Sequence, residues 1–388
     1  MYRKNIRLLK IFNFLIGFSL FAPLAIIYFS KVSGSYTLGA SIFGITMLAS
    51  AFFEVPTGIW SDRVGRRGTI ILGSWARVLA FILYAIGLSY WWLVAGAILE
   101  GLSRSFYSGN NDAFLHDTLA DDGLEGDYDE HLGKTSSTEQ LASGIAAAAG
   151  GIMASISFGY LIWISVVSQI VMLVVSYQFT EPKTRTHVKF NIYAHLREAL
   201  KLFVSNKKLR LLSIGSIISF SFNEMMFQFR ATFITMVWPL WAIGFANVIS
   251  NFGASLSFYY SKKIIRKFKE ANILLFKTIW GKAIGLVGYG YPTVFSPVLM
   301  STNSLLYGVS SVAESKLMQT EFSDHQRATM SSLNSLGGSI GFAIMSLVLG
   351  NLADAMDPAK ALLTLNIISL PIIYLYWLLF KNNREVRA

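Results

Sequence analysis

Charged side chains stand inside long apolar stretches of this chain. Glu100 and Arg104 are four positions apart, and Glu224 and Arg230 are six apart. A charge among apolar residues is costly unless it is paired or has a task. A carboxylate in such a place can carry a proton, and a guanidinium can bind a carboxylate or phosphate group. These four residues are the first candidates for chemistry.

The two carboxylates differ in their neighbours. On a helix, Glu100 and Arg104 lie one turn apart, so the arginine should keep Glu100 ionised. Glu224 has no basic residue three or four positions away, so nothing nearby on its own helix holds it in the charged form. We predict Glu224 as the first proton-coupling residue and Glu100 as the second.

The composition predicts that the chain lies in lipid. Of its 388 residues, 53% are hydrophobic and only 14% are charged, against about 25% charged in soluble domains. The net charge of +11 would suggest nucleic-acid binding in a soluble protein, but here it must first be tested as a topology signal. Because the chain has no cysteine, disulfides, thiolate metal sites and cysteine nucleophiles are excluded.

Transmembrane helices are therefore the elements that must position the charged residues. Apolar runs long enough to cross about 30 Å of hydrocarbon predict twelve spans, at about 9–30, 37–60, 69–89, 92–117, 137–157, 160–180, 209–235, 240–261, 271–290, 295–319, 328–352 and 360–380. If both termini are inside, 25 of the 33 basic residues fall in inner segments, and only Lys31 and Lys360 lie outside. This bias predicts that both termini are cytoplasmic.

The spans divide six and six around a basic inner segment. We predict an N-terminal bundle at 1–180, a linker at 181–208 and a C-terminal bundle at 209–388. Apolar residues at helical spacing in the linker predict an amphipathic helix at the membrane surface. They are Ile192, Leu196, Leu200 and Phe203.

Polar residues follow a single face of spans 4 and 10 and recur on spans 1 and 7. Hydrogen bonding between helices alone would scatter polar residues more evenly, so we predict that these faces line a substrate cavity. The predicted lining residues are Asn13, Arg104, Tyr107, Asn111, Asn223, Gln228, Arg230, Asn303, Tyr307 and Glu314.

Four other basic residues lie within spans, namely Arg77, Lys277, Lys282 and Lys316. Lys282 is about 17 Å into span 9 at 1.5 Å per residue and is too deep to reach the surface easily. A salt bridge inside the C-terminal bundle is favoured for it over substrate contact. Arg77 and Lys277 are close enough to the inner surface to extend their charged groups to it.

The loop between spans 2 and 3 reads Gly58-Ile59-Trp60-Ser61-Asp62-Arg63-Val64-Gly65-Arg66-Arg67. It resembles the G-x-x-x-D-R-x-G-R-R/K loop of the major facilitator superfamily, in the loop where that family carries it. Together with the six-plus-six spans and the inner linker, the resemblance covers the whole chain. It implies an all-α membrane protein of twelve transmembrane helices in two pseudo-symmetric six-helix bundles, with a central cavity lined by spans 1, 4, 7 and 10.

In that family the loop is a latch on the inner side that holds the outward-open state. The resemblance implies that role for Gly58, Asp62, Arg63, Gly65, Arg66 and Arg67, with Glu54 and Asp112 joining the same network. Gly58 should let a neighbouring helix approach closely, and Gly65 should permit the tight turn. A simple topology signal would explain the arginines but not Asp62 or the glycines.

The resemblance implies a secondary transporter that works by alternating access. Proton-coupled efflux (antiport) of small amphipathic compounds or drugs is the leading hypothesis, because the aromatic and methionine residues of span 7 suit a loosely specified ligand. Uptake or exchange of a small anionic metabolite is the alternative, favoured by Arg104 and Arg230. A membrane-embedded transferase or a transporter-like sensor is a remote third class.

The expected partners are a small-molecule substrate, protons and membrane lipids. We expect no nucleic acid, no cofactor and no metal, a monomer, and a protein that is not an enzyme. The chain resembles compact bacterial drug-efflux members of the family, which implies the cytoplasmic membrane of a bacterium as its location.

Overall fold

The structure, a computed structural model, describes residues 2–183, 197, 201, 203–205, 207–321 and 324–385. Throughout these ranges the regular structure is helical, without strands. The N-terminal half contains the α-helices Tyr2–Gly17, Ala25–Ser33, Tyr36–Ile86, Tyr90–Tyr107, Asn110–Ala120, Tyr128–Ile156 and Phe158–Tyr177. The C-terminal half contains Lys207–Gln228, Arg230–Val237, Ile243–Phe268, Glu270–Gly290, Ser296–Ser301, Ser304–Glu321, Asp324–Ala355, Pro358–Ile368 and Pro371–Glu385.

These helices fit the twelve predicted spans once interrupted helices are joined. Spans 2 and 3 form one helical stretch, Tyr36–Ile86, that is broken at Gly65. Spans 1, 4, 7, 10 and 12 each consist of two helices separated by a short break. We call the side of the molecule that carries Gly65 the inner side, and the opposite side the outer side.

Six stretches are long and apolar enough to cross a membrane on those two criteria alone. They are Arg3–Ser33, Tyr36–Glu54, Arg63–Ile86, Phe158–Tyr177, Leu333–Ala355 and Pro358–Leu378. They correspond to spans 1, 2, 3, 6, 11 and 12, so spans 4, 7 and 10, which carry polar faces in the sequence, are absent together with spans 5, 8 and 9. A span whose polar side chains face other helices or water has a low mean hydropathy for that reason.

The chain divides into two compact units. Unit 1 comprises Met1–Phe190 with Leu240–Gly244, and unit 2 comprises Asn191–Pro239 with Phe245–Ala388. The predicted boundaries at 180 and 208 stay predictions. The amphipathic helix predicted in the linker lies largely outside the described residues.

The described residues of unit 1 include two separate apolar cores. One, which we call the outer core, includes Phe21, Phe29 and Tyr84, with Tyr28 donating a hydrogen bond of 2.7 Å to the carbonyl oxygen of Tyr84. The other, the inner core, gathers side chains from the first helix of span 1 and from spans 3, 4 and 6. Its buried members are Ile6, Leu8, Leu9, Phe12, Ile70, Phe114, Leu115, Leu119, Met172, Val175 and Phe179.

Span 1 is interrupted between these two cores. Side chains of three other spans donate hydrogen bonds to carbonyl oxygens at the break: Arg77 to Ile16 at 3.3 Å, Ser143 to Gly17 at 3.3 Å, and Ser168 to Phe18 at 3.3 Å. Backbone carbonyls freed inside a membrane must find such partners. The break is therefore held by spans 3, 5 and 6.

Arg77 does not extend to the inner surface, so that prediction is wrong. The residue is only 8% exposed, and its Nε donates to Gln169 Oε1 at 2.8 Å. Its guanidinium also lies 5.3 Å from the centre of the Phe81 ring. The interrupted span 1 and the amide of span 6 offer Arg77 better partners inside unit 1 than the surface does.

Candidate functional site

Gly65 creates a sharp corner on the inner side of unit 1. Its φ of 83° and ψ of 170° end span 2 and let span 3 begin at Arg66. The backbone N–H groups of Arg66 and Arg67 donate to Glu181 Oε1 and Oε2, both at 2.8 Å. A carboxylate at this position satisfies the free N–H groups of a helix start and complements its dipole. Glu181 thus caps span 3.

The Arg66 side chain is paired on the same side of the unit. Its Nε lies 3.2 Å from Asp117 Oδ2, and Asp117 is only 1% exposed. Ser61 donates to Asn110 Oδ1 at 3.0 Å, and Asn110 Nδ2 donates to the Arg66 carbonyl oxygen at 3.2 Å. The predicted latch loop is therefore bound to the second helix of span 4, which contains both Asn110 and Asp117.

The acidic partners differ from those predicted. Asp112 is exposed and makes no hydrogen bond or ion pair with other described residues. Asp117, about 140° further around the same helix, is the residue that pairs with Arg66 in this structure, and the latch role of Asp112 stays a prediction. Glu54 is also exposed, without such a bond from its side chain, and Arg63 is exposed. The side chain of Asp62 lies outside the described part of the structure.

Gly58 has a different environment from the one predicted. A methyl group added at Gly58 would meet no atom within 4 Å. No helix approaches closely at this position, so that prediction is not met in this structure.

Asp117→Asn should lower the free energy of unfolding by about 2–3 kcal/mol, because it leaves the half-buried Arg66 guanidinium without its counter-charge. The measurement is the thermal unfolding temperature of the purified protein in detergent. Asp112→Asn is the matched control, since that carboxylate is exposed on the same helix. Equal unfolding temperatures for the two variants would contradict the assignment of Asp117.

Glu100 has polar partners from two spans of unit 1. Arg104 donates to Glu100 Oε1 from Nε at 3.2 Å and from Nη2 at 2.9 Å, and Tyr84 Oη donates to Glu100 Oε2 at 2.9 Å. The side chain of Glu100 is 14% exposed and that of Arg104 is 49% exposed. The pair expected from their spacing is present, and Tyr84 adds a partner that sequence spacing does not indicate.

Glu224 has a neutral partner in unit 2. The side-chain amide of Gln228 donates to Glu224 Oε1 at 3.0 Å, one helical turn further along span 7. Within the described part of the chain, no lysine or arginine lies within ion-pair distance of this half-buried carboxylate. As the sequence spacing predicted, Glu100 has a basic partner on its own helix and Glu224 has none among the described residues.

Arg230 begins the second helix of span 7 and also contacts only neutral groups. Its Nη1 donates to Ser250 Oγ at 2.7 Å, and its Nη2 donates to Ser301 Oγ at 2.6 Å and to the Ala246 carbonyl oxygen at 3.3 Å. Its Nε is buried without a partner. Unlike Arg104, it pairs with no carboxylate among the residues that the structure describes.

The other predicted cavity residues are distributed over both units. Tyr107 turns towards span 3, where its hydroxyl donates to Ser74 Oγ at 3.1 Å. Their common role as cavity lining stays a prediction. The half-buried ones are Asn13, Tyr107, Asn111, Asn303 and Glu314, and the exposed ones are Asn223 and Tyr307.

Lys282 forms no salt bridge within the described parts of unit 2, so that prediction is wrong. The residue is 7% exposed, and its Nζ donates to Ser369 Oγ at 2.5 Å. Ser369 ends the first helix of span 12, just before Pro371 breaks that span. The break provides an oxygen acceptor, which the sequence alone did not reveal.

The described residues contain no cluster of three or more histidine or acidic side chains that could hold a metal ion.

The sequence pattern of the Major Facilitator Superfamily matches residues 8–346. The chain belongs to the major facilitator superfamily.

Curated members of the superfamily match along nearly the whole chain. The uncharacterized MFS-type transporter MJ1560 of Methanocaldococcus jannaschii is 22% identical over 369 residues, which cover 92% of this chain and 93% of that protein. The uncharacterized MFS-type transporter YxaM of Bacillus subtilis is 19% identical over 388 residues, covering 94% of this chain and 93% of that protein.

Solved structures agree on the fold. The nucleoside transporter NupG superimposes with a TM-score of 0.82 at 14% identity, covering 98% of this chain and 99% of NupG. A bacterial homolog of the human lysosomal transporter Spinster gives a TM-score of 0.75 at 14% identity, covering 97% of this chain and 95% of that one. The predicted all-α MFS fold is confirmed, and the protein is a multi-pass membrane transporter.

Proposed function

We propose that this MFS transporter exports small amphipathic compounds by alternating access in exchange for protons. The observation that supports the proposal most directly is the half-buried Glu224 carboxylate, whose partner is a neutral amide. A carboxylate without a counter-charge can exchange a proton and change its net charge when it does so.

Glu100 is the second proton-coupling candidate. Two nitrogen atoms of Arg104 donate to one of its oxygens in this structure, so Glu100 has a counter-charge that Glu224 lacks. Glu100 would take up a proton only when substrate or a structural change draws Arg104 away.

The distribution of basic residues supports an orientation with both termini in the cytoplasm. We propose the cytoplasmic membrane of a bacterium as the location, a monomer as the working form, and lipids and the small-molecule substrate as the partners. Nucleic acid has no place in this proposal, because most of the positive charge lies in segments that set the topology.

Transport in proteoliposomes with an imposed pH gradient tests the proposal. The panel contains cationic, neutral and anionic compounds, and it includes nucleosides because NupG, a nucleoside transporter, has a similar fold. We expect proton movement only with cationic or neutral amphipathic compounds. Counterflow of anions without a pH gradient would overturn efflux as the function.

A specific observation favours exchange of a small anionic metabolite as the second candidate. Arg230 is held by two serine hydroxyls and a carbonyl oxygen, which leaves its charge unbalanced among the described residues. A buried guanidinium of this kind is suited to bind a carboxylate or phosphate group.

Arg230→Gln should weaken binding of an anionic substrate by about 10- to 100-fold, the expected loss of a hydrogen bond to a charged group. The measurement is the KM for anion counterflow in proteoliposomes. Arg266→Gln is the matched control, because Arg266 is exposed in the last turn of the helix Ile243–Phe268. An unchanged KM in the Arg230 variant would remove this residue from substrate binding.

A further inference from the structure

We propose that Lys282 is a proton-binding site in unit 2, whose amine takes up and releases a proton during transport. Such a site would be additional to Glu224 and lies on span 9, outside the spans that carry the predicted cavity. The role of Lys282 in transport rests on the proposed proton coupling. The uptake and release of a proton by its amine can be measured without transport.

The contacts of Lys282 leave its charge poorly supported. Its ammonium has three N–H donors, and the one acceptor among the described residues is Ser369 Oγ. Ser369 directs its own hydroxyl proton to the Asn366 carbonyl oxygen at 2.8 Å. Asn366 in turn donates from its side chain to the Lys282 carbonyl oxygen at 3.0 Å. The site is ordered and polar, but its partners are neutral.

Unit 1 carries a basic residue at the equivalent place. The two halves of an MFS fold are structural repeats, so span 3 corresponds to span 9. Arg77 lies 11 residues after span 3 begins at Arg66, and Lys282 lies 12 residues after span 9 begins at Glu270. Both are at least 90% buried.

The partners of these two residues are equivalent as well. Arg77 donates to Gln169, which lies 11 residues after span 6 begins at Phe158. Ser369 lies 11 residues after span 12 begins at Pro358. Each unit therefore joins its third and sixth spans through a buried basic side chain and a neutral acceptor.

The two sites differ in the charges around them. Arg77 interacts electrostatically with the carboxylates of Glu100 and Glu139. Lys282 instead interacts with a like charge, Lys277 on its own helix. Arg77 therefore has carboxylates nearby that balance its charge, whereas Lys282 has a second cation nearby.

The ionisable groups on the helices packed against span 9 have other partners. Glu314 of span 10 interacts with Lys277 and Tyr376. Lys316 of span 10 lies 2.5 Å from Glu270 and Lys360 of span 12 lies 3.0 Å from Asp357, so both cations are paired. The helix Ser296–Ser301 contributes no ionisable side chain. The remaining ionisable residues on these helices are Tyr307, Glu321, Tyr374, Lys381, Arg384 and Glu385.

The chemistry of the two side chains completes the argument. An arginine keeps its proton in proteins, whereas a buried lysine can release it. Arg77 is thus a fixed charge in unit 1, and Lys282 is the exchangeable counterpart in unit 2. When Lys282 releases its proton to water, the nitrogen lone pair is freed and the desolvation of a buried charge is relieved.

Carbon-13 NMR of protein labelled at lysine Cε tests this site without substrate or gradient. The resonance that disappears in Lys282→Arg should move between about pH 6 and pH 9, a range in which an ordinary lysine stays charged. In the same variant the transport rate should change less with pH over this range, because an arginine keeps its proton. If Lys282→Arg does not fold, Ser369→Ala identifies the resonance by shifting it.

Two variants serve as controls. Lys277→Arg should leave the moving resonance in place, and Arg77→Lys should add a resonance that stays at the charged position throughout. A Lys282 resonance that stays charged over the whole range would overturn the proposal. The two proton sites can also be told apart. If Lys282 titrates and transport in Glu224→Gln is still driven by a pH gradient, the site at Lys282 is supported and the role proposed for Glu224 is refuted.

Discussion

Glu224→Gln should abolish transport driven by a pH gradient and leave substrate binding intact. Glutamine keeps the side-chain oxygen that accepts the hydrogen bond from Gln228, but it cannot take up a proton at neutral pH. Because a positioned proton carrier contributes about two orders of magnitude or more to a proton-dependent step, the gradient-driven rate should fall by about 100-fold. Proteoliposome transport with a pH gradient measures this rate.

Counterflow at equal pH separates coupling from binding in this experiment. It should continue in Glu224→Gln, because exchange of one substrate molecule for another needs no net proton movement. Glu270→Gln makes the same chemical change at a half-buried carboxylate that is paired with the exposed Lys316, and it should leave both rates unchanged. Normal gradient-driven transport in Glu224→Gln would show that the proton is carried elsewhere.

Gly65→Ala should destabilise unit 1 and impair the inner loop. Its φ of 83° and ψ of 170° belong to a region that is essentially restricted to glycine, and forcing another residue into it costs about 1–3 kcal/mol. The corner also aligns the N–H groups of Arg66 and Arg67 with Glu181. We therefore expect both a lower thermal unfolding temperature in detergent and slower transport.

Gly58→Ala is the matched control for Gly65→Ala. Gly58 lies within the same helical stretch, and an added methyl group there meets nothing within 4 Å. Because alanine favours a helix over glycine by up to about 1 kcal/mol, this variant should unfold at the same or a higher temperature. If Gly65→Ala were as stable as Gly58→Ala, the turn at position 65 would not require a glycine.

The spans were predictable because apolar length and basic loops are local properties of the sequence. The breaks within spans 1, 4, 7, 10 and 12 were not, because they depend on partners from other helices. Arg77 illustrates the difference: its distance from the inner surface suggested that it reaches the surface, whereas Gln169 and the Ile16 carbonyl hold it inside. Depth along a helix does not determine the direction of a side chain.

The candidate site was predictable to the extent that a motif or a helical spacing defined it. Arg66, Arg67 and Gly65 belong to a contiguous loop, and Glu100 and Arg104 are one turn apart. The partners of the loop are distant in sequence: Asp117 is 51 positions from Arg66, and Glu181 is 115 positions from it. Only the packing of helices brings them together, so no local pattern could identify them.

The interruption of span 1 separates the inner half of this span from its outer half. Its first helix belongs to the inner core and its second helix to the outer core, while the segment between them is fixed through side chains of spans 3, 5 and 6. A continuous helix would transmit a tilt from one membrane face to the other as a rigid rod. Here each half of span 1 belongs to its own core and the break between them is anchored to neighbouring spans, so a tilt of one half need not pass along the helix to the other half.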